Sequence, residues 1–262
     1  MKNNSELRCL NFRKRILELS QKVSALHIGS AYSCIEIMDF IFFKLMKNGS
    51  NYKSFIMSKG HASILHYVIL EKLGIMKKND LNNYCTKNSS LGVHPDIGNP
   101  GINASTGSLG HGLSIAAGIA IADEKKKKKV YVLLSDGELQ EGSTWEAITL
   151  IGALKLKNII LIVDNNNLNS SEKMSNTHPN LYPIEKKFSS FGWYSFKCNG
   201  HSTDEMFKKY KKSPKNKPIA IIAKTIKGYP ISFMKNKALW HYRSPNKTEY
   251  KIALMDLNKN AQ

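Results

Sequence analysis

Short apolar runs alternate along the chain with longer segments in which apolar residues recur at helical spacing. Residues 130–134 form a continuous apolar run, which is typical of a strand buried on both faces. Alternation of this kind indicates parallel strands joined by helical crossovers. We therefore predict an α/β fold, doubly wound and mostly parallel, with helices on both faces of the sheet.

The predicted strands cover residues 54–57, 130–134, 158–163, 193–197 and 219–223, and the predicted helices cover 6–23, 35–46, 62–73, 110–123, 141–154 and 203–211. Residues 79–106 form a polar, loop-rich region. Neither an internal repeat nor a linker interrupts the pattern, so residues 1–262 are expected to form a single domain. The tail after residue 248 is weakly patterned and is expected to be peripheral.

Composition excludes several classes of protein. No apolar run reaches the roughly 20 residues that cross a bilayer, so a membrane protein is not expected. The segment that follows Met1 is of mixed charge and does not resemble a secretory signal. The cysteines are scattered without a Cys-x-x-Cys pair, which argues against a disulfide framework or a zinc site. These features predict a cytoplasmic protein.

The net charge of +19 raises the question of nucleic-acid binding. Lysines are spread along the whole chain, and the dense runs at 125–129 and 208–212 fall where helices should end, a position that favours lysine. No known nucleic-acid-binding motif accompanies them. Nucleic acid is therefore not expected as a partner. An anionic substrate, an anionic cofactor or an acidic partner chain accounts better for the charge.

Polar residues follow two of the predicted strands at their carboxyl ends. Asp136 and Gly137 come after the run at 130–134, and Asn165 and Asn166 come after the next strand. Either fragment alone is most often a turn or a polar loop. Together, at adjacent strand ends, they place a carboxylate and an amide carbonyl where such sheets bind ligands. This is part of an octahedral oxygen site for Mg²⁺, which diphosphate oxygens would complete.

The segment 135–147, followed by 164–168, resembles the thiamine diphosphate motif of transketolases. The resemblance implies thiamine diphosphate as cofactor and Mg²⁺, or Ca²⁺ or Mn²⁺ in its place, as metal. The implied metal ligands are Asp136, Asn166 and the backbone carbonyl of Leu168. Gly137 would approach the diphosphate, and Glu141 would lie beside the metal site at a subunit contact.

Further motifs extend the resemblance over nearly the whole chain. They are Ser58-Lys59-Gly60-His61-Ala62, Gly92-Val93-His94-Pro95, Thr106-Gly107-Ser108-Leu109-Gly110, and Lys224-Thr225-Ile226-Lys227-Gly228 with Trp240-His241. The residues that the resemblance places against the cofactor are His61, Gly107, Leu109, Asn166, Ile226 and His241. It implies catalytic roles on the substrate side for His27, His94 and His241. Histidine suits a reaction that forms and collapses alkoxides near neutral pH.

A few positions depart from the family's pattern, which usually has glycine there. They are Ser135 in the turn after the strand, Leu26 before His27, and Tyr242 and Arg243 after His241. Serine is small enough to leave the turn intact. Leu26 could narrow the substrate channel, and Arg243 could meet a substrate phosphate or carboxylate.

A full-length transketolase is more than twice as long as this chain. The resemblance therefore implies the N-terminal subunit of a split enzyme, completed by a separate C-terminal subunit in a heterotetramer. Such an enzyme transfers a two-carbon ketol unit from a ketose phosphate to an aldose. Two alternatives remain open: a half-enzyme of another thiamine diphosphate reaction, such as deoxyxylulose phosphate synthesis, and a non-catalytic binding subunit that keeps the fold.

Overall fold

Five parallel strands form one sheet in the computed structural model, which describes residues 3–123 and 128–259. The strands are β1 (Phe55–Met57), β2 (Val130–Ser135), β3 (Ile159–Asn165), β4 (Tyr194–Asn199) and β5 (Ile219–Lys224). Their order across the sheet is β1-β2-β3-β5-β4. Part of the lysine run at 125–129 lies outside the described residues. No helix in the described ranges is long and apolar enough to span a membrane.

Eleven α-helices surround this sheet within the described residues. They are α1 (Asn4–Ser20), α2 (Ile28–Ser33), α3 (Ile35–Asp39), α4 (Ser63–Lys72), α5 (Lys78–Asn82), α6 (Gly112–Ala122), α7 (Gly142–Ala153), α8 (Met174–Thr177), α9 (Ile184–Ser190), α10 (Thr203–Tyr210) and α11 (Lys247–Lys259). The first of them begins at a capping box, in which Asn3 and Glu6 bind each other's backbone amides.

The sheet is buried on both faces, as the continuous apolar runs predict. Val132 and Leu134 of β2 pack with α6, α7 and α9, whereas Tyr131 and Leu133 point into a second core with α1, α3 and α4. Side chains alternate between the two cores because successive residues of a strand face opposite ways. The predicted doubly wound α/β fold is thus confirmed, with helices on both faces.

Parallel pairing brings the carboxyl ends of the strands to one edge of the sheet. Ser135 at the end of β2 pairs with Asp164 near the end of β3, and Asn165 pairs with Lys224 at the end of β5. The loops that follow these strands carry most of the predicted site residues. The register alone therefore gathers segments that are far apart in sequence.

The predicted helix at 35–46 is confirmed as a helical segment, which is α-helical to Asp39 and π-helical over Phe40–Leu45. One prediction about the end of the chain was wrong. The tail after residue 248 is not peripheral: α11 packs against α1 and buries Ala253 and Leu257. Its weak periodicity reflects a narrow contact, since only these two side chains of α11 are fully buried.

Two helical glycines provide a matched test of the packing. A Cβ at Gly152 of α7 would lie 1.8 Å from the carbonyl oxygen of Phe191, whereas one at Gly118 of α6 would meet nothing within 4 Å. We expect Gly152→Ala to lower the free energy of unfolding by about 2 kcal/mol or more through overpacking. Gly118→Ala should raise it by roughly 0.5–1 kcal/mol, because alanine favours the helix. Urea unfolding of both variants measures the difference, and equal stabilities would contradict the packing described here.

Candidate active site

A cleft of about 330 Å³ opens at the carboxyl edge of the sheet. Its walls come from the loops after β1, β2, β3 and β5 and from the loop before α6. Among the residues lining it are His27, Lys59, His61, His94, Gly107, Leu109, Gly137, Glu141, Asn166, Leu168, Lys227 and His241. The cleft therefore gathers every predicted site residue except Asp136 and Ile226.

Asp136 lies directly beneath the cleft and is fully buried. Its Oδ1 accepts the amide of Gly137 at 2.9 Å, and its Oδ2 accepts the amide of Asn167 at 2.6 Å. Burial, followed by the charge of Asp164, raises the pKa of Asp136 to about 7. A buried carboxylate with a raised pKa favours a nearby cation, and each of its oxygens keeps a further lone pair with which to bind one.

The loop after β3 supplies the other candidate metal ligands. The Oδ1 of Asn166 accepts the amide of Leu168 at 3.0 Å, and Asn167 between them adopts a left-handed conformation with φ of 61°. This tight turn places Leu168 on the wall of the cleft. Among the described residues, no group of three or more His, Cys, Asp or Glu side chains could hold a metal. A cation here would need oxygens from a bound ligand, as the sequence predicts.

Gly137 leaves room for such a ligand. A Cβ at this position would meet nothing closer than 3.9 Å, and the residue lines the cleft. Protein packing thus does not require glycine here, but any larger side chain would project into the cleft. Ser135, the predicted departure in this turn, ends β2 and accepts the Glu138 amide with its hydroxyl at 3.3 Å. The turn tolerates serine because the hydroxyl supports it.

A buried ion pair forms the floor of the cleft. The Nζ of Lys59 lies 2.5 Å from Oδ2 of Asp164, and both side chains are almost completely buried. Ser33 and Thr225 also donate hydroxyl hydrogen bonds to Asp164. Burial opposes both charges, but their attraction outweighs it: the pKa of Lys59 is raised and that of Asp164 is lowered. Both groups therefore stay ionised.

Lys227 brings a second buried ammonium to the cleft. Its Nζ donates to the Asn169 carbonyl oxygen and to Nδ1 of His241, both at 2.9 Å. Burial and the nearby charge of Lys59 lower the pKa of Lys227 to about 8. Because an ammonium can only donate, His241 accepts at Nδ1 and carries its proton on Nε2. The cleft thus combines two lysines with histidine donors, an arrangement that favours anions.

Four histidines meet at the mouth of the cleft. The ring of His27 lies 5.2 Å from that of His61, 6.1 Å from that of His94 and 5.1 Å from that of His241. Burial, followed by neighbouring histidine charges, lowers the pKa of His27 to about 3, and burial and Lys227 lower that of His241 to about 4. Burial and then Lys59 also lower the pKa of His61. These three rings are therefore neutral near pH 7.

Gly107 and Leu109 line the cleft on the loop before α6. Gly107 has φ of 150°, and a Cβ there would lie 2.8 Å from the ring of His94. Glycine is thus needed for the loop to pass under that ring. His111 is exposed and outside the cleft, where its Nδ1 lies 3.1 Å from the Leu109 carbonyl oxygen. Ile226 is half-buried and lies beside the cleft-lining Lys227.

Arg243 is paired within the chain and is not among the residues that line the cleft, and its contact with a substrate phosphate or carboxylate stays a prediction. Its Nη2 lies 2.6 Å from Oε1 of Glu249 on α11, and its guanidinium covers the ring of Trp240 at 4.4 Å. Its amide donates to the Leu26 carbonyl oxygen at 3.1 Å, which ties it beside His27. Tyr242 instead stacks on His27, with ring centroids 4.5 Å apart, and is half-exposed at the mouth of the cleft.

The sequence motifs did not single out Lys59, Lys227 or Glu138. Glu138 is buried, and its Oε1 accepts both the Ser58 hydroxyl at 2.5 Å and the Gly110 amide at 2.9 Å. It thereby joins the loop after β1 to the loop before α6. Each of these residues lies inside a quoted motif. A charged residue within a motif next to a buried strand is costly to bury without a partner, and this was the signal that could have marked all three as site residues.

Comparisons with known proteins agree with this geometry. Residues 8–253 match the family model described as transketolase, thiamine diphosphate binding domain. The chain is 32% identical to an apulose-4-phosphate transketolase subunit of Phocaeicola vulgatus, over 98% of this chain and 95% of that protein. It is 31% identical to the 6-deoxy-6-sulfo-D-fructose transketolase subunit SqwG of Clostridium sp. strain MSTE9, with 94% of each covered.

A solved structure shows the same fold in a longer enzyme. Transketolase from Campylobacter jejuni superposes with a TM-score of 0.86 at 26% identity. The superposition covers 98% of this chain but only 43% of that one. The chain therefore corresponds to less than half of a full-length enzyme with this fold.

The ion pair beneath the cleft gives a stability prediction. Lys59→Met would leave Asp164 buried without its cation, and we expect a loss of about 3–5 kcal/mol in the free energy of unfolding. The exposed pair of Lys209 and Glu205 on α10 is the control, and Lys209→Met should cost about 1 kcal/mol or less. Denaturant unfolding measures both changes. Similar losses in the two variants would show that the buried pair has no special role.

Proposed function

The chain belongs to the transketolase family of thiamine diphosphate-dependent transferases, and we propose that it is the subunit that holds the diphosphate and its metal in a split enzyme. The observation that carries the proposal is the pairing of buried Asp136 with the Asn166–Leu168 turn, beside a glycine that leaves room for a ligand. Lys227 lines the same cleft and contacts only neutral partners, so its ammonium supplies positive charge for a diphosphate. The reaction is transfer of a two-carbon ketol unit from a ketose phosphate to an aldose.

The residues present fit this cofactor. Asp136, Asn166 and the Leu168 carbonyl would bind Mg²⁺, or Ca²⁺ or Mn²⁺, with diphosphate oxygens completing the shell. His61 and Lys227 offer donors to the diphosphate from the loops after β1 and β5, and its approach is open along Gly137. The metal would also neutralise the carboxylate whose pKa burial raises.

Thiamine diphosphate supplies the electron sink for carbon–carbon cleavage when bound. The chain's own contribution is to orient the substrate and to donate or accept its hydroxyl protons. His27, His94 and His241 surround the mouth of the cleft, where a sugar would enter. His241 presents an Nε2–H donor because Lys227 occupies its Nδ1. His27, whose ring is neutral near pH 7, holds one donor and one acceptor and so suits both directions of proton movement.

An exposed apolar surface supports the need for a partner chain. Ile115, Ile119 and Ile121 of α6, Leu150 of α7 and Leu154 just after α7 are each exposed by more than a third. The two helices contact each other, and we call this set of exposed apolar residues the α6–α7 face. Both helices start beside the cleft, after Leu109 and Glu141, and their exposed residues continue away from it. Apolar patches of this kind mark protein interfaces.

The occupant we propose for the α6–α7 face is the separate C-terminal subunit. The chain covers 43% of the full-length Campylobacter enzyme, and the relatives from Phocaeicola and Clostridium, which it covers almost completely, are named as transketolase subunits. Because α6 and α7 begin beside the cleft, a chain that completes the cleft could also contact the α6–α7 face. Two copies of each chain would give a heterotetramer. Sugar phosphates are the proposed substrates, and the free cysteines, Cys9, Cys34, Cys85 and Cys198, support a cytoplasmic location.

Substitution of the metal-binding carboxylate tests the cofactor assignment. We expect Asp136→Asn to weaken binding of thiamine diphosphate with Mg²⁺ by at least about a hundredfold, because a charge-assisted ligand is lost in a buried site. The matched control is Asp80→Asn, an exposed aspartate on α5. Calorimetric titration of the three proteins gives the affinities. If Asp136→Asn binds as tightly as the control, the metal assignment fails.

Disruption of the α6–α7 face tests the partner. We expect the purified chain to have no ketol-transfer activity alone and to gain it when the C-terminal subunit is added. Ile119→Asp should reduce complex formation at least about tenfold, since it buries a charge in the interface. Leu7→Asp on α1, which is also exposed, should leave it unchanged. Analytical ultracentrifugation and a ketose phosphate assay measure the two effects, and full activity of the chain alone would refute the split-enzyme proposal.

A further inference from the structure

His201 lies outside the cleft but makes a direct contact with a loop that lines it. The residue follows the edge strand β4, and its Nε2 accepts the backbone amide of Ile226 at 2.9 Å. Ile226 directly precedes Lys227, whose ammonium reaches the cleft. His201 thus binds the backbone next to Lys227, although it does not itself line the cleft.

The hydrogen bonds of His201 fix its tautomer. An amide N–H can only donate, so Nε2 must present a lone pair to Ile226. Nδ1 lies 3.0 Å from Oε2 of Glu36 and therefore carries the proton that it donates to the carboxylate. Each ring nitrogen thus has one partner. Rotation of the ring by half a turn would leave the Ile226 amide without an acceptor.

Two further groups hold the histidine and the loop from behind. Glu36 is buried on α3, and its Oε1 accepts from Nη2 of Arg13 at 2.5 Å. The Nε of Arg13 donates to the Tyr229 carbonyl oxygen at 3.3 Å, and the ring of Tyr229 stacks on His201 at 4.2 Å. The Arg13–Glu36–His201 cluster therefore makes hydrogen bonds to the backbone of the loop at both Ile226 and Tyr229.

Gly200 allows this close packing. A Cβ at this position would lie 2.4 Å from Cγ2 of Thr225 and 3.1 Å from the Lys224 carbonyl oxygen. The amide of Gly200 donates to that carbonyl at 2.7 Å. The turn after β4 can approach the loop after β5 only without a side chain here, and this approach brings the ring of His201 onto the Ile226 amide.

We propose that His201 is a positioning residue for cofactor binding: through the acceptor at Nε2 it fixes the backbone of Ile226 and so aims Lys227 at the diphosphate. The cluster joins α1, α3 and the turn after β4 to the loop after β5, while Thr225 ties the start of that loop to Asp164. The loop is thus held on one side by the floor of the cleft and on the other by the cluster. This inference rests on the proposed function only for its effect on cofactor affinity.

Two near-isosteric variants separate the two hydrogen bonds of His201. Glutamine can place an amide oxygen where Nε2 lies and can accept from Ile226. Asparagine can place an amide nitrogen where Nδ1 lies and can donate to Glu36, but it leaves Ile226 without an acceptor. We expect exchange of the Ile226 amide with solvent to be about tenfold faster in His201→Asn, the factor for one net hydrogen bond. In His201→Gln it should stay close to that of the unaltered chain.

The same pair is compared in the complete enzyme that contains both chains. His201→Asn should raise the KM for thiamine diphosphate about tenfold while kcat at saturating cofactor stays the same, because only the aim of Lys227 is loosened. His201→Gln should restore the original KM. Thermal midpoints of both variants report any general loss of stability. If His201→Asn does not fold, His201→Gln still tests the proposal, because loss of Ile226 amide protection in a folded His201→Gln chain would contradict the role of the acceptor.

Each result has a distinct meaning. Unchanged Ile226 exchange and unchanged cofactor KM in His201→Asn would overturn the proposal. Equal defects in His201→Asn and His201→Gln would also overturn it, since they would show a structural role without dependence on the acceptor. If the unaltered chain binds no thiamine diphosphate, the proposed function fails, but exchange of the Ile226 amide still tests the link between His201 and the loop.

Discussion

The ion pair between Lys59 and Asp164 is the constraint on which the rest of the site depends. It joins the loop after β1 to the end of β3 beneath the cleft, and hydroxyls from Ser33 on α2 and Thr225 after β5 complete the shell of the carboxylate. Four segments of the chain therefore meet at one buried side chain. Desolvation makes a buried ion pair costly in free energy, but a single buried charge without its partner costs more. Arrangements of the four segments that separate Lys59 from Asp164 are therefore disfavoured.

This arrangement also explains the electrostatics of the cleft. Lys59 is neutralised by Asp164, whereas Lys227 donates to neutral partners, the Asn169 carbonyl and His241. The pKa of Lys227 falls to about 8 because burial and the charge of Lys59 outweigh the attraction of Asp136 and Asp164. Burial and the charge of Lys227 in turn lower the pKa of His241. Beside them, Asp136 has a raised pKa because burial and Asp164 disfavour its charge. The proposed diphosphate and divalent metal would relieve both effects, because the anion would favour the charge of Lys227 and the metal that of Asp136.

Much of this was predictable from sequence. The apolar runs at 130–134 and 158–163 predicted the central strands, and the parallel order placed Asp136 and Asn166 at neighbouring strand ends, as the register of β2 and β3 confirms. The ion pair of Arg243 was not predictable, because its partner Glu249 lies on a helix whose periodicity is weak. The role of His201 was missed for a similar reason. Its function depends on which backbone amide it meets, and spacing along the chain carries no such information.

The contact between α1 and α11 has a consequence for the order in which the molecule can be built. Arg243, which is tied to the backbone beside His27, is held by Glu249 at the start of α11, and α11 lies against the first helix. A ribosome makes these partners at opposite ends of the described chain. The sheet can assemble while synthesis continues, but the histidine at the mouth of the cleft gains its support only when the last helix has emerged. The same helix buries Ala253 and Leu257 in the core, so the cleft and the core are completed together.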